Sequence, residues 1–152
     1  PAILSVGASY KITDNYLVSG TANYYFNRQA RMDRVSAFGG LEHGRDYKDG
    51  WEVAFGNEYK LNNKFTLIGS INYARTGAKN ASFNDTEYAL NSVTLGAGVR
   101  YNFDETLAIT ASVAHFIYEK EEGNFKEKYK VDENQKYHKQ ITAMGLSITK
   151  KF

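Results

Sequence analysis

Three histidines are the side chains of this chain best suited to acid–base chemistry: His43, His115 and His138. A histidine activates a hydrolytic nucleophile only when that nucleophile, commonly a serine, lies within hydrogen-bond reach. His115 lies in a segment where apolar and polar residues alternate, and Ser112 of the same segment has the opposite parity. Because alternate side chains of a strand point to opposite faces, the two residues are kept apart. We therefore predict no catalytic residue, and an interfacial structural role for His115.

Charged and amide side chains form the second candidate set. They occupy polar-parity positions of two alternating segments, and they are Glu52, Glu58, Lys60, Arg100 and Asn102. Such groups can meet a substrate carboxylate, but charges inside a protein usually neutralise one another in pairs. We predict that these residues line an interior wall. The sequence holds no cysteine and no strand–helix phosphate-binding motif, so we predict no metal and no cofactor.

The elements that must carry these residues are strands. Apolar and polar residues alternate with period 2 in seven segments, over about 3–12, 16–26, 51–61, 64–73, 92–103, 107–118 and 139–152. Most segments span about 10–13 residues, which exceeds the usual globular strand and approaches the roughly 9–11 residues of a tilted strand that crosses a bilayer. No apolar run reaches the roughly 18 residues that a transmembrane helix needs.

The two sides of each segment differ in a way that favours a membrane barrel. In the first segment Leu4 and Val6 alternate with Ser5 and Gly7. A soluble sheet would expose many Lys and Glu residues, whereas a membrane barrel turns an apolar side to lipid and a small, polar side to its lumen. Aromatic residues gather at both ends of the apolar side, as in the two girdles of such barrels. They are Tyr10, Tyr16, Tyr24, Phe26, Trp51, Tyr59, Phe65, Tyr73, Tyr101, Phe103 and Phe152.

The connections between the segments alternate in length. Short polar turns lie at 13–15, 62–63 and 104–105, and long charged loops lie at 27–50, 74–91 and 119–138. Short periplasmic turns and long extracellular loops are typical of barrels of the bacterial outer membrane. We therefore predict an all-β fold, an antiparallel transmembrane β-barrel of the outer membrane, whose chain ends on the periplasmic side.

Composition excludes several other classes. The 152 residues carry a net charge of only +2, which is too weak to favour a nucleic-acid partner. Hydrophobic residues make up 42% and aromatic residues 14% of the chain, which is too rich for a disordered protein. The absence of cysteine excludes a disulfide scaffold.

Three stretches together resemble a known family. They run from Asp49 to Gly77, from Val93 to Phe116 and from Pro1 to Asn15, and they look like the C-terminal part of the FadL/TodX family of outer-membrane channels. The resemblance implies a fourteen-stranded barrel with an N-terminal plug, and diffusion of long-chain fatty acids or aromatic hydrocarbons through it. The last strand, ending in Phe152, resembles the signal that the barrel-assembly machinery reads.

We therefore expect an outer-membrane channel for passive uptake of hydrophobic small molecules such as long-chain fatty acids, with no catalysed reaction. Its expected partners are the lipid bilayer, the hydrophobic substrate, the assembly machinery and the remaining N-terminal half of the barrel. Seven strands are an odd number, and bacterial barrels close with an even number, so we expect Pro1 to follow a longer N-terminal part. Two other functions stay open: an adhesive barrel that binds a partner through its loops, and a lipid-modifying enzyme.

Overall fold

The computed structural model describes residues 1–29, 34–35, 41–42, 47–80, 83, 88–124, 126–127 and 130–152. The predicted candidate His43 lies outside these residues. The strands are β1 (Ile3–Thr13), β2 (Tyr16–Tyr25), β3 (Arg34–Val35), β4 (Leu41–Glu42), β5 (Gly50–Lys60), β6 (Phe65–Arg75), β7 (Ser92–Asn102), β8 (Leu107–Tyr118), β9 (Glu121–Glu122), β10 (Lys136–Tyr137) and β11 (Gln140–Lys150). A short 3-10 turn follows β2 at Asn27–Gln29.

The seven long strands form one antiparallel sheet in the order β1-β2-β5-β6-β7-β8-β11. Each long strand therefore pairs with the next long strand along the chain, and β1 and β11 form the edges. This arrangement confirms the predicted all-β, antiparallel fold with seven strands. No helix in the described parts of the chain is long and apolar enough to cross a membrane.

The observed bounds of the seven long strands lie within two residues of the predicted ones, and those of β8 coincide with them. The last strand, predicted over 139–152, runs from Gln140 to Lys150. Lys150 pairs with Leu107, the first residue of β8, and only one further backbone bond, from the Lys151 N–H to the Thr106 carbonyl at 2.8 Å, continues the ladder. Phe152 therefore lies beyond the strand and is fully exposed.

Two of the three predicted long loops contain small strand pairs. In the 27–50 segment β3 pairs with β4, and in the 119–138 segment β9 pairs with β10. Each of these strands has only two residues, which is too short to produce a detectable alternation in the sequence. These two long connections therefore contain some regular structure.

The two faces of the sheet differ in composition and in burial. We call the face that carries Glu58, Ser70 and Gly98 the polar face, and the face that carries Phe55 and Leu95 the apolar face. In the central strands most residues of the polar face are half-buried, whereas the large side chains of the apolar face are exposed. A curved sheet covers its concave side, so this difference indicates that the sheet curves around the polar face.

Aromatic rings contact one another at both ends of the apolar face. At the end with short connections, the turn end, Tyr16 contacts Tyr59 and Phe65 contacts Tyr101, with ring centroids 6.2 and 5.0 Å apart. At the end with long connections, the loop end, Trp51 lies 5.3 Å from a second ring, that of Tyr73. Rings at both ends with aliphatic residues between them match the arrangement of two interfacial girdles.

The long connections pack against each other at the loop end. Among the described residues the buried apolar cluster consists of Phe83, Leu90 and Tyr137, which are 3%, 3% and 5% exposed. The Phe83 and Tyr88 rings lie 5.4 and 4.6 Å from the Tyr137 ring. Residues from the 74–91 and 119–138 segments therefore share one small core outside the sheet.

Candidate functional site

The clearest electrostatic feature of the polar face is an ion pair between β5 and β7. Arg100 Nη1 and Nη2 donate to Glu58 Oε2 and Oε1 at 3.2 and 3.5 Å. Strand β6 lies between them, and its Thr66 pairs in register with Arg100. The Arg100 side chain thus reaches across β6, and Thr66 beneath it is only 7% exposed. The pair neutralises two of the predicted interior charges.

Two more predicted residues lie near this pair, at the turn end. Lys60 is exposed and pairs with Thr66 in the backbone register. Asn102 donates from its side-chain amide to the Asn63 carbonyl at 3.3 Å. Asn102 therefore joins the end of β7 to the turn between β5 and β6, which keeps the turn close to the sheet.

Glu52, the fifth predicted residue, lies apart from the others, at the loop end. Its carboxylate accepts hydrogen bonds from the Asn72 amide at 2.6 Å and from the Tyr25 hydroxyl at 3.0 Å. These bonds satisfy both carboxylate oxygens without a cation. The five predicted residues thus share one face, but they form two separate groups.

Small side chains cover the polar face between these groups. A cavity of about 370 Å³ lies there, across β6, β7, β8 and β11. Apart from Ile68 its polar-face lining is small, and consists of Ser70, Gly96, Gly98, Ser112, Ala114, Ala143 and Gly145. We call this surface the small-residue trough. It offers open space beside hydroxyl groups, at mid-height of the sheet.

A second cavity, of about 390 Å³, lies at the turn end and includes Arg100 and Asn102. Hydroxyl groups of Thr110, Ser147 and Thr149 also line it. The sequence candidates did not include these three residues, because an isolated Ser or Thr of the correct parity is indistinguishable from a structural one. The register places two of them beside the ion pair, since it aligns Thr110 with both Arg100 and Ser147, and Thr149 lies two residues after Ser147 on the same face.

Carboxylates at the strand ends serve structural roles. The Asp104 carboxylate accepts hydrogen bonds from the Thr106 hydroxyl and from the N–H groups of Thr106 and Leu107, all at 2.7–2.8 Å, and these bonds lower its pKa. At the loop end the backbone N–H of Arg28, 3.1 Å from Asp49, lowers the pKa of that carboxyl. Both residues hold chain connections in place.

The structure places His115 and Ser112 on opposite faces of the sheet, as their positions in the alternating segment predict. His115 Nδ1 lies 2.9 Å from Thr142 Oγ1 on the apolar face, whereas Ser112 lines the trough on the other face. His138 precedes β11 and is exposed. In the described part of the chain no group of three or more His, Asp or Glu residues is arranged to hold a metal ion.

Solved structures of outer-membrane channels resemble this sheet. A Pseudomonas aeruginosa FadL homologue is 17% identical, with a TM-score of 0.80 over 97% of this chain. The Pseudomonas putida toluene transporter TodX is 23% identical, with a TM-score of 0.66 over the whole chain. A TodX mutant described as a monoaromatic hydrocarbon channel is 21% identical, with a TM-score of 0.72. At these identities the likeness shows the fold.

The chain spans about a third of the length of these structures, since it covers 35%, 35% and 36% of them. None of the curated proteins matches the chain. The family described as outer membrane protein transport protein (OMPP1/FadL/TodX) matches residues 1–152, which is the whole chain. The chain therefore belongs to the OMPP1/FadL/TodX family of transport proteins of the bacterial outer membrane.

Proposed function

We propose that the protein is a channel through which hydrophobic small molecules, such as long-chain fatty acids, cross the outer membrane passively. The observation that carries this proposal is the small-residue trough, which leaves open space on the concave side of a sheet whose convex side is apolar. A hydrophobic molecule needs such a protected path, because the polar headgroup layer opposes its direct entry into the bilayer. The function that we propose requires no chemical reaction.

The polar face would then be the wall of the lumen. In this arrangement Glu52, Glu58, Lys60, Arg100 and Asn102 line the passage above and below the trough. The Glu58–Arg100 bond, at 3.2 Å, reduces the field that a neutral solute would meet. The middle of the wall carries no charged side chain, so an apolar solute displaces water there without removing a counter-ion from its partner.

Two partners follow from the proposal. The backbone edges of β1 and β11 are eleven residues long and pair with no other strand of the described sheet. Unpaired peptide groups are costly in hydrocarbon, so we propose that further strands of the barrel pair with both edges. We also propose that the barrel-assembly machinery binds the segment from Gln140 to Phe152.

The channel proposal is tested by filling the trough. Ala143→Phe places a ring over the trough, and Met144→Phe places the same ring on the opposite face, where Met144 is 86% exposed. In cells that produce the full-length protein, we expect Ala143→Phe to reduce uptake of a labelled long-chain fatty acid severalfold, and Met144→Phe to leave it unchanged. Both variants are compared at equal amounts of folded protein in the outer membrane.

The uptake measurements separate transport of the fatty acid from passage through the trough. Uptake by the wild-type protein no greater than that of empty cells would disprove transport of the fatty acid. Equal uptake by the Ala143→Phe variant and the wild type would exclude the trough from the path. A labelled aromatic hydrocarbon, tested in parallel, distinguishes the two substrate classes.

A further inference from the structure

A polar cluster interrupts the apolar face at the loop end. His115 on β8 and Thr142 on β11 pair in register, with Nδ1 and Oγ1 2.9 Å apart. Gln140 lies two residues before Thr142 and therefore on the same face. We call these three residues the His115 cluster. Their neighbours on this face are aliphatic residues, and they are Leu95, Val113, Ile117 and Met144.

The position of the cluster along the strands corresponds to an aromatic girdle. Phe65 and Tyr73, the girdle residues of β6, are eight residues apart, and Phe65 directly follows a short turn. On β8, Leu107 directly follows a short turn, and His115 is again eight residues further. Eight residues span about 27 Å along a strand and about 20 Å across a bilayer at the usual tilt, close to the height of the apolar band. In the register His115 aligns with Leu95 and Ile71, two residues short of Tyr73, so it lies at the edge of the apolar band, beside the lipid headgroups.

The cluster has hydrogen-bonding groups that the protein leaves available. Nδ1 of His115 is engaged with Thr142, whereas its Nε2 and the Gln140 amide have no hydrogen-bond partner among the described residues. His115 and Gln140 occupy diagonal positions on neighbouring strands, and such positions bring side chains within about 7–8 Å of one another. One oxygen-rich group can thus meet both residues. The nearby carboxylate of Glu119, two residues after Ile117, has other partners: its two oxygens accept from the Tyr73 hydroxyl at 3.0 Å and the Asn91 amide at 2.8 Å.

We propose that the His115 cluster binds the phosphate of a phosphorylated glycolipid in the outer leaflet. The occupant is a lipid because the cluster lies beside the aromatic girdle and is surrounded by lipid-facing apolar residues. The leaflet is the outer one because the cluster lies at the loop end. Phosphate oxygens accept strong hydrogen bonds from imidazole and amide N–H groups. Pairing of another strand with the edge of β11 would use backbone groups and leave these side chains directed outwards.

The test compares lipid binding by the full-length protein and a double variant. His115→Leu with Gln140→Leu makes this part of the face apolar, whereas Asn57→Leu removes a polar residue from the same face at a different depth. Protein in phosphatidylcholine nanodiscs is titrated with lipid A, and bound lipid is counted by native mass spectrometry. We expect at least tenfold weaker binding by the double variant, because it removes two donors and the loss of a single hydrogen bond to a charged group already has an effect of that size, and unchanged binding by Asn57→Leu.

Several outcomes would overturn the proposal. Equal lipid A binding by the wild type and the double variant would show that the cluster is not the site. Equal binding of phosphatidylglycerol and lipid A by the wild type would exclude selection of the glycolipid. A dimer of the wild type that the double variant abolishes, without bound lipid, would assign the face to a second copy. Fatty-acid uptake by the double variant should stay unchanged, so this test is independent of the channel proposal.

Discussion

At the scale of single residues, Asp104 makes the turn between β7 and β8 sensitive to acid. Its three hydrogen bonds, of which the one from the Thr106 side chain has the largest effect, lower its pKa in the folded protein. A lowered pKa stabilises the fold above the unfolded value of about 3.9, and this stabilisation disappears as the pH falls through the lowered value. The charge of Asp104 therefore supports the turn at neutral pH.

Replacement of Asp104 tests this interpretation. We expect Asp104→Asn to lower the urea midpoint of unfolding in lipid vesicles at neutral pH, and to remove part of the decrease that the wild type shows between about pH 5 and pH 2. Asp104→Ala should lower the midpoint further, because it removes the acceptor oxygen. Asp14→Asn, in another short turn, is the matched control. An unchanged acid response in Asp104→Asn would contradict the prediction.

The Glu58–Arg100 pair contributes little to stability because both side chains are partly in water, with 39% and 36% exposed. A double-mutant cycle with Glu58→Gln and Arg100→Gln should give a coupling free energy of roughly 0.2–1 kcal/mol. The coupling should decrease when salt is raised, since the charges are screened. Unfolding in vesicles at low and high salt measures it. A coupling that salt does not change would show that the pair is shielded from water.

At the scale of elements, the seven long strands could be predicted because alternation over ten or more residues is a strong signal. The Glu58–Arg100 ion pair could not be predicted from the sequence, because it depends on the register of β5, β6 and β7 at once. The small-residue trough could not be predicted for the same reason. Gly96 and Ala143 belong to strands separated by β8, and only the pairing of the sheet brings them to one surface. Sequence parity thus assigns a residue to a face, but not to a neighbour.

The buried apolar cluster of Phe83, Leu90 and Tyr137 is a further feature that no local pattern indicates, because Tyr137 lies in a different connection from Phe83 and Leu90. Leu90→Ala should leave the sheet intact and loosen the packing of the long connections, since removal of a buried leucine commonly costs about 2–5 kcal/mol. We expect faster cleavage of these connections by an added protease while the barrel stays folded. Val131→Ala, at an exposed position of the 119–138 segment, should be cleaved like the wild type. Equal rates for all three proteins would show that the cluster does not hold the connections.

At the scale of the whole molecule, the alternation of connection lengths indicates which side of the membrane each end of the sheet faces. Strands β5 and β6 are joined by 61–64, whereas β6 and β7 are joined by 76–91. Short turns on the periplasmic side and long loops outside are the usual arrangement of bacterial barrels. The loop end, with its apolar cluster and the exposed residues Lys126 and Glu127, should therefore face the exterior.

This orientation is testable because the chain contains no cysteine, so one introduced thiol in this chain reports on one position. Glu127→Cys places a thiol in an exposed part of a long connection, and Lys64→Cys places one in an exposed short turn. In intact cells a membrane-impermeant maleimide should label Glu127→Cys and not Lys64→Cys; after permeabilisation of the outer membrane it should label both. The reverse pattern in intact cells would invert the orientation, and with it the leaflet of the His115 cluster. Because the register connects both ends of the sheet, one such measurement orients all seven strands.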